Sequence, residues 1–251
     1  MKPSYLDHDG EKNFVLKRKI LEMLTSGDHF TIAHISKEVK TSIPTTTKFI
    51  DELVEDRLII EKGKIDTAGG RKPNVFGLNP DAGYMVGVEV TQDHLKVAIS
   101  NFIGNVIGYQ DNINFKLENT LSSLGNFCDC INKVTTSLHI NKEEILAYGI
   151  SLSGRVNPEL GYSFAYDLDK ERPVDEILTS FLGKPVAIEN DSRAMCYGEY
   201  THTEHAVRDM LFLNVSWGLG MGLIIDKKLF YGKSGYSGEI GHFPMLDNNL
   251  I

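Results

Sequence analysis

The chain has 251 residues, of which 41% are hydrophobic, and its formal net charge at neutral pH is −8. This length is enough for two small domains, each with its own core. No apolar run approaches the roughly 18 residues that a membrane-spanning helix needs, and the N-terminus lacks the apolar segment of a signal peptide. Three cysteines are too sparse a set for a disulfide framework. These features predict a cytoplasmic protein without a membrane partner.

The charge is divided unevenly along the chain. Residues 1–80 contain 13 Lys and Arg against 12 Asp and Glu, whereas the remainder contains 13 against 22. A nearly neutral module whose charges are segregated can present a basic face, while a strongly acidic one is repelled by nucleic acid. A nucleic-acid site is therefore expected only in the first part.

The first part has the pattern of three short helices. Apolar residues at helical spacing predict the first helix over residues 13–25. The second is predicted over Thr31–Lys40, with Thr31 as its N-cap. The third follows Pro44, a residue that suits the first turn of a helix. Its predicted buried residues are Phe49, Ile50 and Leu53.

The third predicted helix has the composition of a DNA-recognition helix. Its first turns are expected to present three hydroxyls and one cation to base edges and phosphates. The predicted DNA contacts on this helix are Thr45, Thr46, Thr47 and Lys48.

Two short β-like runs follow, around a tip that is rich in Gly, Lys and Arg. This tip is cationic and lacks bulk, so it suits minor-groove insertion or contact with phosphates, and Arg71 and Lys72 are its predicted DNA contacts. We therefore predict a winged helix-turn-helix domain over residues 1–80 that binds duplex DNA. A three-helix module used for protein contacts is the alternative.

From Tyr84 onward, short apolar strands are separated by glycine-containing turns. Three strands over residues 85–109 are predicted to form a meander. A helix over about residues 120–139, a buried strand at 145–152 and a further helix, strand and helix follow. Three antiparallel strands, a helix and a parallel strand are typical of an α/β domain of the ribonuclease-H-like type, which we predict over residues 84–251.

Polar residues suited to a carbohydrate come directly after predicted strands. Asn190 and Asp191 lie just past the end of a strand and open a helix, a position where open α/β sheets bind ligands. An amide beside a carboxylate can donate to and accept from neighbouring sugar hydroxyls. The alternative is that these two residues only cap the helix. The predicted sugar contacts are Ser153, Gly154, Asn190, Asp191, Glu239 and His242.

Four segments occur in an order that resembles the ROK family of repressors, open reading frames and sugar kinases. They are Gly87-Val-Glu-Val, Gly149-Ile-Ser-Leu-Ser-Gly-Arg-Val, Ile188-Glu-Asn-Asp-Ser-Arg-Ala and Gly238-Glu-Ile-Gly-His. The upstream module is similar to that of the family's repressor branch, which includes xylose and N-acetylglucosamine repressors. The resemblance implies an actin-like fold with a sugar in the cleft. It also implies a repressor of carbohydrate-utilisation genes that binds a DNA operator as a homodimer or higher oligomer.

Kinases of this family bind ATP through Asp-x-Gly-Gly-Thr and Gly-Thr-Gly turns, whose glycines let backbone N–H groups approach phosphate. Here Thr91, Gln92 and Asp93 replace the first turn, and Trp217 interrupts the second. In the family kinases the position of Asp191 is the general base. The likeness with these departures implies a regulator that neither binds ATP nor transfers phosphate. A ROK-type kinase that phosphorylates a hexose from ATP is the alternative.

The family's zinc site combines a histidine at the position of His242 with three cysteines further along. The resemblance therefore implies zinc in a full-length family member. This chain supplies His242 and none of those cysteines, whereas a structural zinc needs about four ligands. We expect the chain to be truncated before the cysteine cluster, with an incomplete second lobe and without bound zinc.

Overall fold

The computed structural model describes residues 11–27, 29–65, 72–166, 171–203, 206–216 and 218–242. The chain divides into two compact units. The first comprises residues 1–84 and 100–107, and the second comprises residues 85–99 and 108–251. Among the described residues, no helix is both long and apolar enough to cross a membrane.

The first unit consists of three helices and a small antiparallel sheet. The helices are α1 Glu11–Leu24, α2 Ile32–Glu38 and α3 Ile43–Glu55. The strands are β1 Phe30–Thr31, β2 Ile59–Lys64 and β3 Asn74–Leu78, in the order β1-β3-β2. The three predicted helices are therefore confirmed, with ends that differ by one to two residues from those expected.

Capping and burial explain these helices. Thr31 accepts a hydrogen bond from the His34 N–H and Ser42 accepts one from the Thr45 N–H, so both N-termini have a side-chain cap. Pro44 lies in the first turn of α3, where its missing N–H costs no helical bond. The core of the unit includes Ile20, Leu24, Ile35, Phe49, Ile50 and Leu53, and Phe102 packs against it.

The second unit is built on a five-stranded sheet. Its strands are β4 Tyr84–Val90, β5 His94–Asn101, β6 Val106–Asn114, β7 Ile145–Leu152 and β10 Val186–Asn190. Their order across the sheet is β10-β7-β4-β5-β6. Strands β7 and β10 are parallel, with Ile150 opposite Ile188. Helices α4 Leu121–Ser137 and α5 Val174–Leu182 lie in the connections, with the short pair β8 Val156–Asn157 and β9 Tyr162–Ser163 between β7 and α5.

Strand β4 shows why this sequence folds as a sheet. Val86, Val88 and Val90 are buried, while Gly87 and Glu89 lie on the opposite face with greater exposure. This period of two is the alternation of a pleated strand. The predicted strands are confirmed, although β6 continues to Asn114 and the pair β8–β9 was not predicted.

The last part of the second unit places a helix on a separate antiparallel sheet. Helix α6 Asp191–His202 packs against β12 in the sheet of β11 Met210–Val215, β12 Leu219–Ile225 and β13 Lys228–Leu229. The contact is very close, because a Cβ at Gly222 would lie 2.2 Å from the Cys196 Cβ. A Cβ at Gly220 would lie 2.1 Å from the Ser192 Oγ. These two glycines therefore serve helix packing.

Candidate functional site

The first candidate site is the exposed surface of α3 in the first unit. Helices α2 and α3 are joined by a tight turn in which Lys40 adopts a φ of 54°. Helix α3 buries one face in the core and leaves the other exposed. This is the arrangement that a helix needs in order to enter the major groove of DNA.

Three of the four predicted DNA contacts on α3 have some exposure. Thr45 is half-buried, with its hydroxyl 2.8 Å from the Ser42 Oγ. Thr47 is also half-buried, and its hydroxyl donates to the Ile43 carbonyl at 2.9 Å. Lys48 is the most available of them, with 65% of its side chain exposed. DNA contact by these side chains stays a prediction.

Thr46 must be removed from the predicted DNA contacts. Its side chain is fully buried, and its hydroxyl donates to the Ser42 carbonyl at 3.0 Å. Residues three, four and seven positions after Thr46 are Phe49, Ile50 and Leu53, which form the buried stripe of the helix. Thr46 therefore extends that stripe, and its hydroxyl cannot reach a base edge.

Of the two predicted contacts at the basic tip, only Lys72 lies among the described residues. Arg71 lies outside the described residues. Lys72 is exposed and lies two positions before the start of β3. Contact of either side chain with DNA stays a prediction.

An ion pair between the buried Lys17 and the half-buried Glu52 links α1 to α3. The Lys17 Nζ lies 2.8 Å from the Glu52 Oε2, and only 3% of the Lys17 side chain is exposed. Glu52 also lies 3.6 Å from the Lys48 Nζ through its other oxygen. Because an unpaired buried charge is strongly unfavourable, this pair fixes the helix that carries Lys48.

The second candidate site is a cleft of about 780 Å³ in the second unit. This volume is within the usual range for small-molecule sites. The cleft lies between the β4–β5 turn, the loop after β7, the start of α6, the facing ends of β11 and β12, and residues 238–241. The predicted sugar contacts that line it are Ser153, Gly154, Asn190, Asp191 and Glu239. The side chain of His242 lies outside the described residues.

A second cavity, of about 630 Å³, lies over the sheet face that carries Gly87 and Gly149. It is lined mainly by small or apolar residues of the strands. The cleft gathers the polar residues that the sequence motifs supply, and we therefore take the cleft as the candidate sugar site.

Several residues of the cleft were not predicted. Asn214 comes from β11, and its position in an otherwise apolar strand is a signal that could have identified it. Lys116 and Tyr166 come from irregular segments whose position no periodicity fixes. Ser192 follows Asp191 at the start of α6 and is almost completely buried.

Asn190 is the N-cap of α6 and a link between two walls of the cleft. Its side-chain Oδ1 accepts from the Arg193 N–H at 3.0 Å. Its amide nitrogen donates to the Gly154 carbonyl and to the Asp191 Oδ1, both at 3.0 Å. Both amide hydrogens and the capping oxygen are thus used internally. The cap is confirmed, and direct sugar contact by Asn190 stays a prediction.

Asp191 is held by a short chain of polar groups. Its Oδ1 accepts from the Ser192 N–H at 2.7 Å and from the Ser192 hydroxyl at 3.2 Å. The Asn214 amide donates to that same hydroxyl at 3.1 Å. Among the hydrogen bonds recorded between described residues, none uses the Asp191 Oδ2. This oxygen is therefore available to accept from a hydroxyl in the cleft.

Glycines bring residues 238–241 onto the backbone of β12. A Cβ at Gly238 would lie 1.8 Å from the Met221 carbonyl oxygen, and one at Gly241 would lie 2.6 Å from that of Leu219. Gly238 also has a φ of +90°, which disfavours any side chain. The Gly-Glu-Ile-Gly spacing thus lets Glu239 approach the cleft on a segment pressed against the sheet.

The β4–β5 turn is closed by its own hydrogen bonds. The Thr91 N–H donates to the His94 carbonyl at 3.0 Å, and the Thr91 hydroxyl donates to the same oxygen at 2.8 Å. The Asp93 carboxylate lies 2.7 Å from the His94 Nδ1. The backbone N–H of Thr91 is thus used within the turn, and it is not free to donate to a phosphate.

The charged side chains of the cleft are mainly acidic. Glu89, Asp191 and Glu239 line it, together with Lys96 and Lys116. The Lys96 ammonium lies 3.1 Å from a Glu89 oxygen, so this pair is neutral overall and Asp191, Glu239 and Lys116 set the charge of the described lining. Such a lining disfavours an anionic ligand and suits neutral hydroxyls.

The described residues do not make a metal site. None of them form a group of three or more His, Cys, Asp or Glu side chains that could hold a metal ion. Zinc requires about four ligands, and the predicted ligand His242 lies outside the described side chains. The expected role of zinc in a longer chain is therefore untested.

The ROK family model matches residues 85–251, a range that includes all of the second unit and more than half of the chain. The chain belongs to the ROK family. Its actin-like fold is also that of a ROK family transcriptional regulator described as a homologue of the E. coli MLC protein. That structure has a TM-score of 0.75 and 21% identity, and the match covers 96% of this chain and 61% of that one.

Two relatives represent the two activities found in this family. The xylose repressor of Caldicellulosiruptor bescii is 34% identical over 230 residues, which cover 89% of this chain and 57% of the repressor. The glucokinase of Streptomyces coelicolor is 35% identical over 111 residues, which cover 43% of this chain and 35% of the kinase. The likeness to the repressor thus extends over both units, while the chain spans less than two thirds of that relative's length.

Proposed function

We propose that this chain is the DNA-binding and sugar-sensing part of a transcriptional repressor of carbohydrate-utilisation genes. The observation that carries the proposal is the combination found in one chain. A helical unit with an exposed, capped third helix precedes a ROK domain. In that domain the β4–β5 turn, which corresponds to a phosphate-binding turn of the family kinases, is closed by its own hydrogen bonds.

The first unit is proposed to bind duplex DNA as a winged helix-turn-helix domain. The support is the α2-turn-α3 arrangement followed by the antiparallel hairpin β2–β3, with Lys48 exposed on α3 and Lys72 beside the hairpin. Relatives named as repressors align over nearly the whole chain. A homodimer is proposed because a pair of such units would read a two-fold operator.

The second unit is proposed to bind an uncharged monosaccharide. Asp191 offers a free carboxylate oxygen, Glu239 adds a second carboxylate, and Gly154 and Asn190 are joined behind them. The acidic lining opposes a sugar phosphate. D-xylose is the first candidate, since relatives that align with most of this chain are named xylose repressors.

The protein is proposed to bind sugar without phosphorylating it. Thr91 and Asp93 replace the phosphate-binding turn, and their hydrogen bonds close it. The partial likeness to glucokinase favours kinase activity as the second candidate, with Asp191 as the general base. Zinc, with His242 as one ligand, is proposed only for a family member that also has the three cysteines of the family's zinc site.

Three assays on the purified protein test this function. An electrophoretic assay with DNA from upstream of its own gene measures operator affinity. Calorimetry with D-xylose, D-glucose and N-acetylglucosamine measures sugar affinity, and a coupled assay with ATP and Mg²⁺ measures ADP release. The proposal requires binding of DNA and of one sugar. Sugar-dependent turnover of about 1 per second, an ordinary enzyme rate, would establish the kinase instead.

A further inference from the structure

Arg193 is the largest fully buried side chain of the described residues, with none of its surface exposed. It lies in the first turn of α6, two positions after Asp191. A guanidinium remains charged at every physiological pH, so its burial is strongly unfavourable unless each of its donors has a partner.

The partners of Arg193 come from three separate segments. Its Nε donates at 2.7 Å to the Oε1 of Glu189, the last residue but one of strand β10. Its Nη1 donates to the Gly235 carbonyl at 2.5 Å, and its Nη2 donates to the Val156 carbonyl at 2.7 Å. The guanidinium carbon also lies 5.5 Å from the centre of the Tyr231 ring.

Each of these segments continues directly into a wall of the cleft. Glu189 precedes Asn190 and Asp191, Val156 follows Gly154 by two positions, and Gly235 precedes Glu239 by four. The walls therefore meet at one side chain that does not itself line the cleft.

We propose that Arg193 is the positioning residue of the sensor site, which fixes the three walls of the cleft in one arrangement. The inference rests on the proposed sugar-sensing function. The flat fork of the guanidinium donates in three directions at once, whereas a lysine ammonium at the end of a flexible stem reaches fewer acceptors. Arg193 thus allows Asp191 and Glu239 to face the same ligand without moving when it binds.

The first part of the test needs no sugar. Amide hydrogen exchange is compared between the unmodified chain and Arg193→Lys, with Arg208→Lys as the control because Arg208 pairs with Asp226 at the surface. We expect exchange in residues 153–157 and 234–239 to accelerate about tenfold, with little change in α4 and α5. The control should exchange like the unmodified chain.

A residue with only a packing role would give a different pattern. Exchange would then accelerate throughout the second unit, α4 and α5 included, because the whole unit would lose stability. Uniform acceleration or no acceleration overturns the proposal. If Arg193→Lys fails to fold, Glu189→Gln retains an acceptor oxygen and should accelerate the same two segments about threefold.

The second part measures sugar affinity by calorimetry on the same proteins, with whichever of D-xylose, D-glucose and N-acetylglucosamine the unmodified chain binds. We expect Arg193→Lys to bind about tenfold more weakly than the unmodified chain, and Arg208→Lys to bind equally well. Equal affinity for Arg193→Lys despite faster local exchange overturns the positioning role. If the unmodified chain binds none of the sugars tested, the proposed function fails, while the exchange pattern still decides whether Arg193 fixes the walls.

Discussion

The two candidate sites use polar groups in opposite ways. On α3, the Lys48 side chain is exposed, and its ammonium lies 3.6 Å from the Glu52 carboxylate. In the cleft, Asn190, Asp191 and Ser192 hydrogen-bond to one another and to Asn214. The first surface is suited to long-range attraction of phosphates, and the second is suited to fixed geometry around a small neutral ligand. Salt should therefore weaken the first site far more than the second.

The largest effect is expected where the cleft depends on close packing. In Gly222→Ala the new Cβ would lie 2.2 Å from that of Cys196 and 2.9 Å from the Ser192 carbonyl oxygen, so α6 must shift. We expect the free energy of unfolding of the second unit to fall by about 2–4 kcal/mol. Thermal denaturation followed by circular dichroism measures it.

Gly149→Ala is the matched control for that variant, since a Cβ at Gly149 meets nothing within 4 Å. It should leave the transition nearly unchanged. A Gly222→Ala protein as stable as this control would show that α6 does not pack against β12 as closely as described.

A somewhat smaller effect is expected from the carboxylate of the cleft. Asp191→Asn removes the charged acceptor while keeping the size of the side chain, and should weaken D-xylose binding by about 1.5–3 kcal/mol. Calorimetry measures this difference. Glu176→Gln, which neutralises an exposed carboxylate of α5, should bind as the unmodified chain does. Equal affinity in Asp191→Asn would mean that this carboxylate serves only the start of α6.

The α3 surface should respond to salt. Lys48→Ala should weaken DNA binding and reduce the slope of log affinity against log salt concentration by about 0.9, the value for one phosphate contact. Filter binding between about 50 and 200 mM KCl, a fourfold range of salt concentration, would measure this slope. Lys133→Ala, on α4 of the acidic unit, is the control and should leave the slope intact. An unchanged slope in Lys48→Ala would place the DNA contact elsewhere.

The smallest effects separate two neighbouring threonines. Thr46→Val removes a buried hydroxyl that bonds to the Ser42 carbonyl, and should lower the free energy of unfolding by about 1 kcal/mol without changing operator preference. Thr47→Val should change operator preference and leave the free energy of unfolding nearly unchanged, because Thr47 is partly exposed beside Lys48. Denaturant titration and competition between operator sequences measure the two quantities. A change of preference in Thr46→Val would contradict its burial.

The sequence predicted the elements whose signals are local. The Thr31 cap, the stripe of Phe49, Ile50 and Leu53, and the strands of the predicted meander all depend on neighbouring residues. The prediction for Thr46 was wrong because a hydroxyl in the first turns of the helix was expected to face DNA. Its spacing from Phe49 and Leu53 already placed it on the buried side.

The cleft could be predicted only in part. Motif residues such as Asp191 and Glu239 were identified, and the structure brings them to one cavity. Asn214 and Arg193 were missed as parts of the site, because their partners lie far along the chain at Ser192, Gly235 and Val156. Long-range hydrogen bonds of this kind leave no periodic trace in a sequence.

The most direct test of the account is the affinity of the protein for DNA from upstream of its own gene, measured with and without saturating D-xylose, D-glucose or N-acetylglucosamine. A sensor that binds sugar better in one of two states must change its DNA affinity, and DNA must change its sugar affinity by the same factor. We expect one sugar to shift the DNA affinity by at least about fivefold, the lower end of common allosteric coupling. A DNA affinity that none of these sugars alters would contradict a sugar-responsive repressor.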